Sequence, residues 1–322
     1  MTHLALNALA LILSAAEGKA NPVDHVVNHK AITGDLFGIK GAWLWSGHVG
    51  SLLLATLILC ILGPWVASKV MTGPESLGND RYVTKGGFAH MIEVICVYLR
   101  DTVVKPLLGH RTNAFMPFLW TLFFFILVNN LLGLVPLVDM QHVFSEKMRA
   151  EHMAYIGGTA TQSLFVTGVL AFIAFIVVNI AGIKELGLGG YLKHLTGGAP
   201  AFIWPILIPV EILGTFIKPV ALALRLFANM TAGHILMAAL FGFVASGVAM
   251  LASGGVSGIA LGGTISIVSF VGVMAIYFLE LFVAVLQAFI FMFLTTVFIS
   301  QLSHHDHAHE DDHGHGHEHA HA

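Results

Sequence analysis

The chain has 322 residues, of which 57% are hydrophobic and only 10% charged, with a net charge of −3 and a mean hydropathy of +0.83. So few charges cannot cover a water-soluble domain of this length, and the weak negative balance argues against a nucleic-acid partner. The composition predicts an all-α polytopic membrane protein whose helices are apolar almost all round.

Residues 1–46 are read as an N-terminal extracytoplasmic segment. Its run "LALNALALILSAA" has a signal-like core but no preceding Lys or Arg, so a short apolar helix or a disordered leader is read there in preference to a cleaved signal. The first span is expected at about 48–69, with Pro64 near its end. Residues 69–113 then carry the densest basic stretch, Lys69, Arg81, Lys85, Arg100, Lys105 and Arg111, which places them in the cytoplasm. Within them Phe88, Ile92, Ile95, Leu99 and Val103 follow helical spacing, while Glu93 and Arg100 share another face. That pattern predicts an amphipathic surface helix over about 86–108.

A second span is expected at about 115–138, with Asn129 and Asn130 inside it. The loop 139–162 is close to charge-balanced and is read as lying outside. A third span follows at about 163–183, and the loop 184–202, with Lys184 and Lys193, returns to the cytoplasm. Two long apolar stretches come next, at about 203–250 and 262–302. Each holds roughly twice the 20 residues that a straight span needs, so each is either several helices or one long, tilted helix. The membrane domain thus runs from 47 to 302, with about five to six embedded helices, and leaves the N-terminus outside and the C-terminus cytoplasmic. The tail, 303–322, is low-complexity, holds nine of the 19 histidines and is expected not to fold. His304, His305, His307 and His309 are weak metal candidates, because imidazole is a good ligand but no spacing here fixes a cage.

Cys60 and Cys96 lie in apolar runs without C-x-x-C spacing, so neither a disulfide framework nor a thiolate metal site follows. No phosphate-binding glycine loop with its lysine is present, so neither a bound nucleotide nor a cofactor is expected.

The polar groups inside the apolar stretches carry the functional signal. In "VEILGTFIKPVALALRLFANM", Glu211, Lys218 and Arg225 recur every seven residues and so point along one helical face. A charge at mid-membrane costs roughly 3 kcal/mol or more. Arg225 cannot shed its charge, so it either pairs with Glu211 or Glu280 as a structural tie or acts as a fixed barrier to a moving cation. Asn229 is one turn further on nearly the same face. His234 falls nine residues after Arg225, on the opposite face, and suits proton relay, with a hydrogen-bonded core histidine as the alternative. Glu280 and Gln287, again seven apart, share a face of the last stretch. A lone carboxylate there either pairs with a cation or carries protons. Glu211 and Lys218 are a structural ion pair or a wet vestibule at the cytoplasmic end.

The runs "KPVALALRLFANMTAGHIL", "LELFVAVLQAFIFMFLTTVFIS" and "FFFILVNNLLGLVP" together resemble the subunit a family of the F-type ATP synthase, over roughly residues 45–301. The resemblance implies that Arg225 faces the carboxylates of a rotating c-subunit ring, with two aqueous half-channels open to opposite sides. It carries Asn229, His234, Glu280 and Gln287 into the proton path, with Glu211 and Lys218 upstream. Some relatives hold an acid at the position of His234 and a His at that of Glu280; this chain has the reverse, also seen in the family. The resemblance further implies that the last two stretches are a hairpin of steeply tilted helices. It implies a bacterial inner-membrane subunit that is no enzyme by itself. Its partners would be the c-ring, the b-subunit stalk and the rest of the synthase, with lipid around it and protons as cargo. The His-rich tail and the long N-terminal segment depart from the family pattern. The competing readings are an ion-coupled secondary transporter, with a metal cation as a candidate substrate, and a purely structural scaffold. No internal repeat supports the transporter, and the scaffold leaves Arg225 unexplained.

Overall fold

A computed structural model of the chain describes residues 30–36, 39–70, 84, 86–145, 153–195, 202–252 and 255–301. The stretch before Lys30, Arg81, Lys85 and the histidines of the tail lie outside the described residues. Helices dominate because an apolar solvent offers backbone groups no partners, so the chain must satisfy them within each segment. Helix α1 runs Gly47–Val70 and α2 Gly87–Tyr98. A π-helical turn, Leu99–Val104, leads into the short α3, Lys105–Leu108. A 3-10 turn at Gly109–Arg111 then opens α4, Thr112–Leu134. Helix α5 is Leu137–Phe144, α6 Leu164–Leu195 with a break at Gly187 where φ is +67°, α7 Trp204–Ala252 and α8 Val256–Gln301. Among the described residues five stretches are long and apolar enough to cross a membrane: Gly47–Val70, Gly87–Leu134, Leu164–Lys184, Trp204–Ala252 and Gly258–Gln301. The chain is an all-α polytopic membrane protein.

Three local features differ from a simple reading of the pattern. The last two apolar stretches are single helices of 49 and 46 residues. At 1.5 Å per residue each is about 70 Å long, over twice the hydrocarbon thickness, so it stays within the bilayer only by tilting steeply. Before α1 an antiparallel hairpin pairs β1, Lys30–Leu36, with β2, Ile39–Ser46. The ladder slips between Ile32 and Thr33 and between Gly34 and Leu36. Such irregular register hides the period-two alternation that would reveal strands. Lastly, the segment after α5 is not a simple outer loop: Thr159, Thr161 and Gln162 are buried, the last two in a 3-10 turn at Ala160–Gln162.

The chain forms two compact units. Of the described residues, the first takes those up to 70 and those within 123–167 and 224–289, the second those within 84–122, 168–223 and 290–301. In the first unit α7 and α8 make an antiparallel hairpin, entered through Gly255 at φ +90°. A Cβ on Gly262 would lie 2.6 Å from the Gly247 carbonyl oxygen, and one on Gly247 2.4 Å from Ser266 Oγ. Further along, Gly272 faces Leu240, Gly233 faces Glu280, and Asn229 bonds to Gln287. Gly233, Leu240 and Gly247 recur every seven residues on α7, and Ser266, Val273, Glu280 and Gln287 do so on α8. A seven-residue repeat is the spacing that keeps one seam of two helices in register.

In the second unit Trp120 Nε1 donates to the Cys96 carbonyl at 3.3 Å, and Ser300 Oγ donates to that of Leu107 at 2.9 Å. The Phe175 and Phe216 rings stack at 5.2 Å.

Candidate functional site

In the first unit α7 presents Arg225 on an exposed face. Its neighbour Leu226 is wholly buried, and adjacent helical residues point about 100° apart. Packing Leu226 inward therefore turns Arg225 out. Among the described residues Arg225 makes no hydrogen bond or ion pair, including none to Glu280. Asn229, one turn on, is exposed as well, yet its Nδ2 donates to Gln287 Oε1 at 3.2 Å. Gln287 is 1% exposed.

Glu280 is buried, and among the described residues neither of its carboxyl oxygens has a hydrogen-bond partner. Its carboxyl rests on Gly233: a Cβ there would stand 2.0 Å from Oε1. The next residue, His234, is half-buried and shares a 2.9 Å hydrogen bond between its Nε2 and Thr159 Oγ1. The helical geometry that separates His234 from Arg225 thus turns the imidazole toward the segment 153–163 and leaves the guanidinium outside.

That segment is anchored on several elements. The Gly157 N–H donates to the Gly47 carbonyl at 3.2 Å and to Ser51 Oγ at 3.1 Å, both on α1. Gln141 Oε1, on α5, accepts from the Tyr155 N–H at 3.0 Å. Thr161 Oγ1 donates to Asn130 Oδ1 at 2.8 Å, while Asn130 Nδ2 donates to the Ala284 carbonyl at 3.3 Å. Asn130, on α4, therefore ties the segment to α8 through its two amide ends. Asn129 turns back on its own helix, with Nδ2 donating to the Phe125 carbonyl at 2.8 Å.

In the second unit Glu211 and Lys218 line one cavity of about 80 Å³ with Asn179, Tyr191, Thr215 and Gln301. Lys218 Nζ donates to Gln301 Oε1 at 3.5 Å and sits 5.2 Å from the Phe298 ring centroid. Among the described residues no ion pair joins Lys218 to Glu211, so the two share a polar space rather than a salt bridge. Tyr191 donates its hydroxyl to Asn179 Oδ1. It lies beyond the span ending at Lys184, and burial, with the nearby charge of Glu211, holds its hydroxyl above the ordinary tyrosine range.

Of the residues singled out from sequence, the structure brings Asn229 to Gln287, sets Glu280 against the residue before His234, and gathers Glu211 with Lys218. His304, His305, His307 and His309 fall outside the described residues. Thr159, Thr161, Gln162 and Gly233 were not singled out. The available signal was the uncharged polar run "GGTATQ", directly before an apolar helix, where an ordinary outer loop would carry charge.

The family model described as ATP synthase A chain matches residues 49–300. The chain is 38% identical over 250 residues to ATP synthase subunit a of Myxococcus xanthus, covering 75% of this chain and 72% of that protein. It is 36% identical over 294 residues to ATP synthase subunit a of Chloroherpeton thalassium, covering 89% and 78%. A third relative, ATP synthase subunit a of Anaeromyxobacter dehalogenans, is 42% identical over 225 residues, covering 68% and 50%. With the match reaching from α1 almost to the end of α8, and with five apolar stretches of membrane-crossing length among the described residues, the chain belongs to the ATP synthase A chain family, the membrane proton-channel subunit of ATP synthase.

Proposed function

We propose that this chain is the stator subunit through which protons reach and leave the c-ring of a rotary ATP synthase, with Arg225 as the barrier between two half-channels. The observation that carries this reading is Arg225 itself. It is exposed on a long apolar helix and has no partner among the described residues. A permanent charge on such a face is costly unless something opposite neutralises it. A ring of carboxylates passing that face supplies the neutralisation one subunit at a time. When a carboxylate stands opposite, the guanidinium favours its ionised form, so the proton has to leave; a proton arriving by itself meets a fixed positive charge.

One half-channel is built on Glu280, His234, Asn229 and Gln287. Glu280 is suited to accept and release protons because its buried carboxyl has no hydrogen-bond partner among the described residues to hold it in one state. Asn229 and Gln287 offer a polar edge beside the exposed face of Arg225. The other half-channel begins at the cavity of Glu211 and Lys218, read as a cytoplasmic vestibule. The b-subunit stalk, membrane lipid and the transported protons complete the partners, and the subunit binds no nucleotide. Its place is the bacterial inner membrane, N-terminus outside and C-terminus in the cytoplasm.

The decisive test is Arg225→Ala in inverted vesicles. Coupled ATP synthesis and ATP-driven proton pumping are abolished while the complex still assembles. Arg225→Lys also largely fails, because an ammonium is compact, can lose its proton and lacks the planar fork. Normal coupled synthesis in the alanine variant sinks the reading.

A further inference from the structure

Thr159 is wholly buried on the segment that enters between α5 and α6. Two observations give its hydroxyl a place. It lies 2.9 Å from Nε2 of His234. It also fills the space left by the missing side chain of Gly133 on α4, where a Cβ would stand 1.8 Å from Oγ1. The backbone beneath it is fixed on both sides: Gly157 is tied to α1, Thr161 to Asn130, and Gln162 Nε2 donates to the Met230 carbonyl at 3.5 Å on α7. A hydroxyl can donate or accept and can rotate to suit either tautomer of an imidazole. A threonine held in this way orients the ring in either protonation state, because its hydroxyl meets Nε2 as donor or as acceptor.

We propose that Thr159 is the positioning residue for His234, holding its Nε2 by a hydroxyl seated against Gly133, so that proton transfer through His234 depends on a segment that sequence reads as an outer loop. The proposal rests on the reading of His234 as a relay group. Thr159 itself need not touch the transported proton. Its role is to keep the imidazole in one orientation as its protonation changes, turning its own O–H from donor to acceptor when Nε2 takes a proton.

The test uses the intact ATP synthase in inverted vesicles. It reads passive proton conductance and ATP-driven pumping, normalised to the amount of assembled complex. Thr159→Val keeps the shape and removes the hydroxyl, and lowers both about fivefold, the scale of one lost hydrogen bond. Thr159→Ser restores the bond and returns both to within about twofold of the starting protein. In a His234→Ala background Thr159→Val causes no further loss, since the group it positions is gone. Gly133→Ala, which displaces the hydroxyl without changing it, repeats the valine effect and serves if the valine variant assembles poorly. Equal behaviour of the valine and serine variants overturns the proposal, as does a full extra loss on top of His234→Ala. The two levels separate cleanly. If His234→Ala slows proton flow and Thr159→Val does not, the relay stands and Thr159 is only structural; if His234→Ala leaves flow unchanged, the relay fails and takes this assignment with it.

Discussion

The Glu280 carboxyl occupies space that any side chain at residue 233 would claim, with only 2.0 Å between Oε1 and a Cβ there. The obstructing atom is the far end of a flexible side chain, so Gly233→Ala displaces the carboxyl rather than the helices. The expected outcome is a complex that assembles normally but conducts protons several-fold more slowly, read as pumping per assembled complex. Glu280→Gln keeps the shape and removes the titratable group, and slows flow about tenfold or more while Arg225 still blocks leak. If passive conductance is unchanged in both variants, the path runs elsewhere. The spacing of the charges was legible in sequence, and so was the separation of His234 from Arg225, because both follow from 3.6 residues per turn. The partners were not. Nothing in the order of residues says that the hydroxyl beside His234 comes from position 159.

The α7–α8 hairpin depends on two backbones coming close at Gly247 and Gly262. Here the obstructing atoms are mostly backbone: a Cβ on Gly247 would lie 2.8 Å from the Gly262 carbonyl oxygen and 2.8 Å from the Ser266 nitrogen. Backbone in a helix cannot swing aside, so Gly247→Ala forces the helices apart and costs about 1–3 kcal/mol. Gly272 provides the contrast, since its Cβ would meet Leu240 at an ordinary 3.6 Å, and Gly272→Ala should stay within about 0.5 kcal/mol. Thermal inactivation midpoints of the detergent-solubilised complex distinguish the two. Equal midpoints mean that the seam does not carry the packing described. The same seam explains a feature of the pattern: α7 and α8 read as apolar all round, yet Gly233 and Gly247 on α7 and Ser266, Glu280 and Gln287 on α8 fall at multiples of seven, with Leu240 and Val273 between them. Among apolar helices in lipid, close approach and internal hydrogen bonds replace hydrophobic burial as the source of specificity.

Over the whole molecule, large apolar side chains stay exposed along the last two helices, among them Leu224, Phe243, Phe278 and Phe282. For a soluble protein such surfaces would be a liability; on helices long and apolar enough to cross a membrane they suit an apolar surrounding. The His-rich tail stands apart in composition from everything the family model matches, residues 49–300. Alternating His with Asp, Glu, Ala and Gly offers many imidazoles but no spacing for a defined cage. Truncation after Ser303 therefore leaves synthesis and pumping near normal at neutral pH while retention on a metal-affinity resin is lost. A truncated complex that assembles but pumps poorly would make the tail part of the proton path.

Composition determined that this chain lives in a membrane, and continuous apolar runs of about 20 residues or more determined that it does so as helices, because a backbone not closed into a barrel satisfies its donors and acceptors in hydrocarbon only along a helix. Helical periodicity determined which charges share a face, and the runs around Arg225 and Gln287 carried the family. Tertiary structure decided the rest. It made each long stretch one helix rather than several, since apolar length is compatible with both. It turned Arg225 outward by burying Leu226, seated Glu280 on Gly233, and folded the uncharged run around Thr159 in against His234. Those choices depend on which small residues of one element leave room for the polar atoms of another, a relation between positions as far apart in sequence as Gly133, Thr159 and His234 that no local pattern encodes.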